Sequence, residues 1–352
     1  MENSYKHSNN QPTLFSSMCD VVSGIFLPNI DPVEAKDVRV MCPTAPKDII
    51  SCKNLDKDIY LKEVDGLGFD TVKIQQPTIP FFPVIPIIDR GMFNLPGDQI
   101  ESKVVGVSLE DIFSSAPTYK DGHQVLSPLV IRHNVLRSPV FKGKTPILFA
   151  SGRDILIENL WQEFNVLDFA EAIHRMGFLA VTGINFSLFF GECPFSHALN
   201  LKKSLKSIQL FHGAGTTVIP HVYFLHELHL KLWLQWLKEN PTVGTITINC
   251  QFRRKENGAF MEEGIIYLLE NVGRKLTIIL EGSNPRSMPK LFKKYRDSIV
   301  VAMKGMSLSA SIAHSQYQIV GGKLKHINAW PTPVADILNS NVRTYAEYIK
   351  IF

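Results

Sequence analysis

From residue 147 to residue 305, short apolar runs alternate with segments of helical spacing, and this rhythm constrains the fold more than any other feature. For example, "FLAVTGINFS" (178–187) is followed by "NLKKSLKSIQLFHGAG" (200–215) and then by "TTVIPHVYF" (216–224). The repeat is roughly 25–40 residues long, which is typical of a strand–helix–strand unit. Runs this apolar predict strands that are buried on both faces, as parallel strands covered by helices are.

Eight apolar runs of this kind occur, and eight strands with crossover helices predict an α/β fold, a (β/α)8 barrel of the TIM type. The runs are "PVIPIID", "VVGVSL", "ILFAS", "FLAVTGI", "TTVIPHV", "GTITINC", "KLTIIL" and "SIVVAM". The region 91–146 is irregular, so we expect an incomplete or decorated barrel there. The main alternative is a doubly wound open sheet. The chain lacks the G-x-G-x-x-G and P-loop patterns that would favour it.

The remaining segments divide the chain into four parts. Residues 1–14 are polar and predict a disordered tail, 15–76 an irregular N-terminal arm or cap, 77–330 the barrel, and 331–352 a helical C-terminal tail. No stretch of eighteen apolar residues occurs, which predicts no membrane span. The N-terminus lacks the apolar core of a signal peptide, so we expect a cytoplasmic protein. The oligomeric state stays open.

Five cysteines are present and no two form a C-x-x-C pair. An odd number without such spacing argues against a disulfide framework and a four-cysteine zinc site, and also against a clustered iron–sulfur ligand set. We therefore expect no cofactor.

The stretch "PHVYFLHELH" contains His221, His226 and His229. His221 ends a predicted strand and is expected to face the pocket, whereas His226 and His229 fall at a helix start and are expected in a solvated first turn. A metal site would need further ligands, such as Cys193 and His197, and HELH is not the H-E-x-x-H pattern. The sequence therefore predicts no metal site.

Both candidate architectures place the functional site at the carboxyl ends of the strands. Three carboxylates follow predicted strands there: Asp89, Asp154 and Glu281. These are the candidate catalytic groups. Asp89 is favoured because it directly ends an apolar strand, and Glu281 is close behind for the same reason.

Other polar side chains at strand ends predict a pocket for a polar, anionic ligand with hydrogen-bonding edges. These candidate substrate-binding residues are Asn185, Ser187, His221, Tyr223, Asn249, Gln251, Arg153 and Lys304. A basic run follows one strand and predicts contacts to a nucleic-acid backbone: Arg253, Arg254 and Lys255. The net charge of +4 permits an anionic partner without requiring one.

Residues 178–284 resemble a bacterial and phage family, the domain-of-unknown-function family 4417. The likeness is carried by "GINFS" (183–187), "GTTVIPHVYF" (215–224), "WLKENPTVGTITINCQFRRK" (236–255) and "GRKLTIILEGSNP" (273–285). The resemblance implies a parallel α/β barrel but no firm activity. In that family one strand often ends in aspartate–phenylalanine–serine. Asn185 replaces the aspartate here, so a catalytic carboxylate at that place would be missing or moved.

A weaker likeness links the chain to the tRNA-guanine transglycosylase and its DNA-directed relatives, which exchange or remove nucleobases. Those barrels place a carboxylate in an aspartate–serine–glycine type of turn. "IIDRGMF" (87–93) has the aspartate and the glycine but not the serine, and the cysteine-rich zinc motif of the tRNA enzymes is missing.

The leading hypothesis is a nucleobase-directed enzyme that cleaves an N-glycosidic bond in modified or unmodified DNA or in nucleotides, in the setting of phage–host conflict. Such chemistry needs a carboxylate at an oxocarbenium-like transition state and a pocket for an extruded base. One alternative is a nonenzymatic nucleic-acid-binding protein, and another is a metal-dependent hydrolase on the barrel. The base, the sugar and the strandedness of the target stay open.

Overall fold

The computed structural model describes residues 62, 64–80, 82–113, 118–120, 123–125, 128–188, 194–250 and 256–352. Eight parallel strands form one sheet, and each of them overlaps one of the eight predicted runs. The strands are β1 (Val84–Ile88), β2 (Val104–Ser108), β3 (Thr145–Phe149), β4 (Ala180–Thr182), β5 (Val218–Ile219), β6 (Thr245–Asn249), β7 (Thr277–Glu281) and β8 (Ile299–Met303).

The sheet closes on itself. Each strand pairs with its neighbour in the chain from β1 to β5 and from β6 to β8, and β8 pairs with β1. Between β5 and β6 the closure is a parallel bridge of His221 with Thr247. There the Val222 N–H donates to the Thr247 carbonyl at 2.9 Å, and the Thr247 N–H donates to the Pro220 carbonyl at 2.8 Å. The predicted (β/α)8 barrel is confirmed.

A side chain from the segment preceding the barrel reinforces this β5–β6 seam at its other end. The Gln76 amide donates to the carbonyls of Val218 and Thr245, both at 2.8 Å. Its oxygen accepts from the N–H groups of Gly244 and Thr245 at 2.9 and 2.8 Å. A short strand such as β5 leaves backbone groups without ladder partners, and Gln76 satisfies them.

Helices follow six of the eight strands. They are α1 (Asp154–Glu163), α2 (Phe169–Met176), α3 (Pro194–Gly213), α4 (Glu227–Glu239), α5 (Glu256–Asn271), α6 (Pro289–Tyr295), α7 (Gly305–Ser311) and α8 (Val334–Lys350). After β1 and β2, the described residues form short 3-10 turns instead, including Arg90–Met92 and Leu109–Ile112. The last helix, α8, packs against β1 and so covers a side of the barrel where no crossover helix lies.

Two antiparallel hairpins decorate the barrel. One joins Thr118–Lys120 to His123–Val125. The other joins β9 (Ser315–Val320) to β10 (Lys323–Asn328), and its two-residue turn, Gly321–Gly322, has positive φ at both positions. This backbone is typical of a tight hairpin and favours glycine. None of the helices in the described part of the chain is long and apolar enough to cross a bilayer.

The barrel interior is filled by alternate strand residues. This inner cluster contains Ile85, Ile87, Val104, Ile147, Phe149, Ala180, Ile219, Ile279, Val300 and Ala302. Gly106 makes room for it, because a Cβ at that position would lie 2.7 Å from Ile87 and 2.8 Å from Phe149. The opposite faces of the strands pack under the helices in the larger, outer core.

Candidate active site at the barrel mouth

Alternation along the strands aims several polar side chains into the mouth of the barrel. Phe149, Ile219 and Ile279 face the interior. Successive side chains point to opposite faces of a strand, so residues two positions later continue the same inner row. Those residues are Ser151, His221 and Glu281. They lie at the carboxyl ends of their strands, where barrel enzymes hold their catalytic groups.

Glu281 is the most deeply buried carboxyl group of this mouth, with 3% of its surface exposed. Its Oε1 accepts a hydrogen bond from the Thr247 hydroxyl at 2.9 Å, and its Oε2 accepts one from the Ser151 hydroxyl. Within the described residues, no lysine, arginine or histidine forms an ion pair with it. Burial raises the pKa of Glu281, and the two hydroxyl hydrogen bonds oppose that shift only in part. The protonated form is therefore more favoured in Glu281 than in a glutamate exposed to water.

His221 bridges to Thr247 across the seam, and Thr247 in turn donates to Glu281. It is 1% exposed, and its Nε2 has no hydrogen-bond partner among the residues that the structure describes. Burial lowers the pKa of His221 to about 3, so the imidazole is neutral at physiological pH. We call Ser151, His221, Thr247 and Glu281 the neutral cluster.

A second group of side chains lies after β1, β2 and β8. Lys304 Nζ is 3.3 Å from Asp111 Oδ2, and Arg90 Nε is 3.5 Å from Asp111 Oδ1. Burial raises the pKa of Asp111, an effect that Lys304 and Arg90 counteract and Asp89 slightly reinforces. We call Asp89, Arg90, Asp111 and Lys304 the ionic cluster.

Asp89, the favoured catalytic carboxylate, has a structural task in the turn that follows β1. Its Oδ1 accepts from the Gly91 N–H at 3.0 Å and from the Ser311 hydroxyl at 3.3 Å. It thereby caps the 3-10 turn Arg90–Met92. A carboxylate that caps its own turn is held in place by local hydrogen bonds. Glu281 has no such local duty, so it is the stronger candidate for chemistry.

Asp154 meets two other predicted site residues. It is the first residue of α1 and is exposed, and it accepts a hydrogen bond from the Ser187 hydroxyl. Tyr223 lies near it: burial raises the pKa of Tyr223, and the Asp154 charge adds to that shift. The same pKa responds to Cys250, whose own pKa is raised by burial and by Glu281. Asp154 also follows Ser151, which donates to Glu281, by three residues.

The remaining predicted residues have different surroundings. Arg153 Nε pairs with Glu110 Oε1 at 3.1 Å. Asn185 is half-buried, and its Oδ1 has no partner in the described part of the chain. Asn249 ends β6 and is also half-buried. Four predicted residues lie outside the described residues: Gln251, Arg253, Arg254 and Lys255. The same holds for Cys193.

Three histidines form a cluster beside the mouth, and one of them corrects a prediction. The rings of His197, His226 and His229 have centroids 5.1–5.7 Å apart. His229 is buried rather than solvated, because it packs against the other two rings and its Nδ1 accepts from the Leu225 N–H at 3.2 Å. Burial lowers the pKa of His229 to about 3. The described residues include no group of three or more His, Cys, Asp or Glu that could hold a metal ion.

Sequence reasoning missed two partners that define this mouth, Thr247 and Asp111. Thr247 lies inside the apolar run "TITIN", where a threonine reads as an ordinary strand former, and Asp111 lies in the 3-10 turn beyond β2. Thr247 could have been found from the alternation of inward-facing and outward-facing side chains along the strand. It sits two residues before Asn249 on the inward-facing side of β6, opposite the outward-facing Ile246 and Ile248.

No model of a known protein family matches the chain, and no curated protein matches it either. Among solved structures, the chain is similar to the crystal structure of orotidine 5′-phosphate decarboxylase from Lactobacillus acidophilus, with 15% sequence identity and a TM-score of 0.34. The match covers 64% of this chain and 92% of that one. A match of this strength carries no information about substrate or reaction.

Proposed function

We propose that this protein is a barrel enzyme that cleaves the N-glycosidic bond of a nucleotide or of a nucleotide unit in DNA, with Glu281 as the general acid. One observation carries the proposal: Glu281 is a buried carboxyl group at the mouth whose described partners are two hydroxyls and no cation. Burial raises the pKa of Glu281, which favours the protonated form that a general acid needs. A carboxylic acid held in its protonated form by an apolar site is a recurring device for donating that proton.

The chemistry fits what Glu281 supplies. A nucleobase leaves poorly as an anion, so protonation of the departing base lowers the barrier to an oxocarbenium-like transition state. Ser151 and Thr247 hold the carboxyl group in one orientation. A fixed donor contributes more than a mobile one, because little ordering remains to be done during the reaction.

A second carboxylate completes the reaction, and Asp154 is the group we assign. It is exposed, it is oriented by Ser187, and it follows Ser151 by three residues. In this role Asp154 either activates the attacking water or attacks the sugar carbon, while Glu281 protonates the base on the other side of the bond. Asp89 is the less suitable second group because it caps the turn after β1.

Recognition is assigned to the polar groups around these two acids. Asn185 Oδ1 and His221 Nε2 are buried without partners among the described residues, and buried polar atoms in that state favour a ligand that supplies the hydrogen bond. Base edges offer such donors and acceptors. Arg153 and Lys304 provide positive charge for a phosphate, since guanidinium and ammonium groups bind phosphate oxygens well.

The test is incubation of the purified chain with nucleosides, nucleoside 5′-monophosphates, and single-stranded and duplex DNA containing ordinary or modified bases. Released base is measured by chromatography, and abasic sites in DNA by alkali-induced strand breaks. Glu281→Gln should lower the release rate roughly a hundred- to ten-thousand-fold, the usual contribution of a general acid. Because the acid must be protonated, wild-type activity should fall as pH rises through the raised pKa of Glu281, and this limb should vanish in the variant.

Glu262→Gln is the matched control. Glu262 is also a buried glutamate, but its Oε1 accepts from the Leu291 N–H at 2.9 Å, in the packing between α5 and α6. Its variant should keep full activity. If Glu281→Gln is as active as wild type on a substrate that wild type cleaves, Glu281 is not the acid. If no member of the panel loses its base, the proposed reaction is wrong.

A further inference from the structure

The positive charge of the protein is concentrated in one segment. Residues 282–335 contain eight lysines and arginines but a single acid, Asp297. The whole chain has 37 basic and 33 acidic residues, so the remainder has 29 basic against 32 acidic residues and is net negative. This segment is therefore strongly basic in sequence, and a basic cluster on its exposed surface would suit a polyanion.

Within this segment the hairpin of β9 and β10, which we call the ribbon, presents lysines on one open face. Gln318 pairs with Lys325 and Val320 pairs with Lys323, so these four residues share a face, and all of them are exposed. The other face holds the buried Tyr317. Neither Lys323 nor Lys325 forms an ion pair with any residue that the structure describes.

The ribbon is fastened at its tip, and the helix that precedes it, α7, is fastened at its last residue. At its tip, Arg286 Nη2 donates to the Gly322 carbonyl at 2.9 Å, and Arg286 lies in the loop after β7. Near its root, the hydroxyl of Ser311 lies 3.3 Å from Asp89, which directly follows β1. The tip of the ribbon is therefore held against the loop that follows β7, the strand that ends in Glu281.

An exposed aromatic ring follows the ribbon. Trp330 is 70% exposed, and its ring contacts that of His314 edge-on, with centroids 4.9 Å apart. The other tryptophans, Trp161, Trp233 and Trp236, are half-buried or buried. An exposed indole at the root of a lysine-bearing ribbon suits single-stranded nucleic acid, because bases stack on such a ring while lysines neutralise phosphates.

We infer that the ribbon face of Lys323 and Lys325, together with Trp330, binds a single-stranded nucleic acid next to the barrel mouth. The inference deepens the proposed function, on which its biological meaning rests, by naming a strand rather than a free nucleotide as the substrate. An anionic membrane is the less suitable partner. The exposed apolar side chains here, Val320 and Ile327, stand among polar ones and form no continuous apolar face.

Binding is measured by the fluorescence anisotropy of a labelled single-stranded oligothymidylate at several salt concentrations. Lys323→Gln combined with Lys325→Gln should weaken binding and reduce the slope of log K against log salt by roughly 1.4, since each phosphate contact on a single strand contributes about 0.7. The matched control is Lys238→Gln combined with Lys275→Gln. These two lysines are equally exposed but lie at the end of α4 and just before β7, at the opposite end of the barrel. The control should leave affinity and slope unchanged.

Trp330 gives an independent readout. The oligonucleotide should quench the intrinsic tryptophan fluorescence of wild type, and this quenching should be lost in Trp330→Ala, whose affinity should drop roughly 5- to 150-fold. Trp330→Phe keeps a stacking surface and should retain most of the affinity. If Trp330→Phe binds as poorly as Trp330→Ala while both stay folded by circular dichroism, stacking is not the contact.

Three results would overturn the inference: no binding of the oligonucleotide, equal weakening by the control pair, or binding to phosphatidylserine vesicles without binding to the oligonucleotide. None of these measurements depends on catalysis. An oligonucleotide that binds through the ribbon but loses no base would leave this inference intact and contradict the proposed reaction.

Discussion

The mouth of the barrel buries two carboxyl groups by opposite means. In the ionic cluster, Asp111 faces two cations, Lys304 and Arg90, whereas in the neutral cluster Glu281 faces two hydroxyls. Burial raises the pKa of both acids, but only Asp111 has cations that oppose the shift. Removing an ionised group from water is costly unless it is paired, so an unpaired acid stays protonated instead. One side of the mouth thus pairs its buried acid with cations, and the other pairs it with hydroxyls.

The largest effect on stability is expected when low pH protonates His221 and so places a charge in the neutral cluster. His221 has a pKa of about 3 in the fold, against 6.5 in an unfolded chain. Between pH 6.5 and 3, His221 is therefore protonated in the unfolded chain but not in the folded one. The unfolding free energy that this residue contributes above pH 6.5 is lost as pH falls toward 3. The slope is about 1.4 kcal/mol per pH unit at most, or about 2.7 kcal/mol of unfolding free energy between pH 6.5 and 4.5.

Urea unfolding of His221→Gln against wild type at pH 7 and pH 4.5 measures this effect. The variant should lose less stability on acidification than wild type does. His133→Gln, an exposed histidine in the loop before β3, is the control and should follow wild type at both pH values. If His221→Gln loses as much unfolding free energy from pH 7 to pH 4.5 as wild type does, His221 is accessible to protons in the folded state.

The next effect comes from unpairing the ionic cluster. Lys304→Met removes the nearer cation from Asp111 and should lower the unfolding free energy by about 1–3 kcal/mol at pH 7. The estimate lies below that for a fully buried pair, because the Lys304 side chain is 27% exposed and Arg90 remains. Adding Asp111→Asn should restore part of the loss, which a double-mutant cycle would show.

Lys294→Met is the control for that cycle. Lys294 pairs with Glu270 at 2.7 Å, closer than Lys304 to Asp111, but both partners are largely exposed. Loss of this ion pair in Lys294→Met should have no measurable effect on the unfolding free energy. If Lys294→Met costs as much as Lys304→Met, burial is not what distinguishes the ionic cluster.

A feature of this structure could be predicted from the sequence when it depends on residues that are close together in the chain. The eight strands were predictable because apolar runs of strand length are a local signal. The capping role of Asp89 was readable too, since an aspartate two residues before a glycine is typical of a turn. The bond between Ser151 and Glu281 joins residues 130 positions apart, and no local pattern announces it.

The ribbon illustrates a different limit. Its strands, "SQYQIV" and "KLKHIN", carry polar side chains on an open face, so apolar periodicity does not predict them. The Gly321–Gly322 pair was the available signal, because two glycines between short strands favour a hairpin. Likewise, the burial of His229 depends on His197, which reaches it from another helix.

A smaller effect tests the protonation of Glu281 itself. The raised pKa means that the protonated carboxyl group stabilises the fold below pH 4.5, and that this contribution is lost as pH rises through the folded-state pKa. Glutamine does not titrate, so Glu281→Gln should become more stable relative to wild type as pH rises from 4.5 to 8. Thermal unfolding of both proteins across that range checks the trend. A relative stability that is flat or falls with pH would place an unseen cation beside Glu281.

The smallest effect on stability is expected at the edge of the ionic cluster, where Arg153 pairs with Glu110 at 3.1 Å. About half of the Arg153 side chain is exposed, so water screens the pair, and Arg153→Gln should change the unfolding free energy by no more than about 0.5 kcal/mol.

The effect of Arg153→Gln should appear in substrate binding instead. If Arg153 holds a phosphate, KM for a nucleoside monophosphate should rise in the variant while kcat stays near wild type, and the corresponding nucleoside should be processed unchanged. A loss of stability above about 1 kcal/mol would assign Arg153 to the fold rather than to the ligand. Equal effects on KM for the nucleotide and the nucleoside would show that Arg153 does not bind the phosphate. Lys304 would then remain as the assigned phosphate ligand.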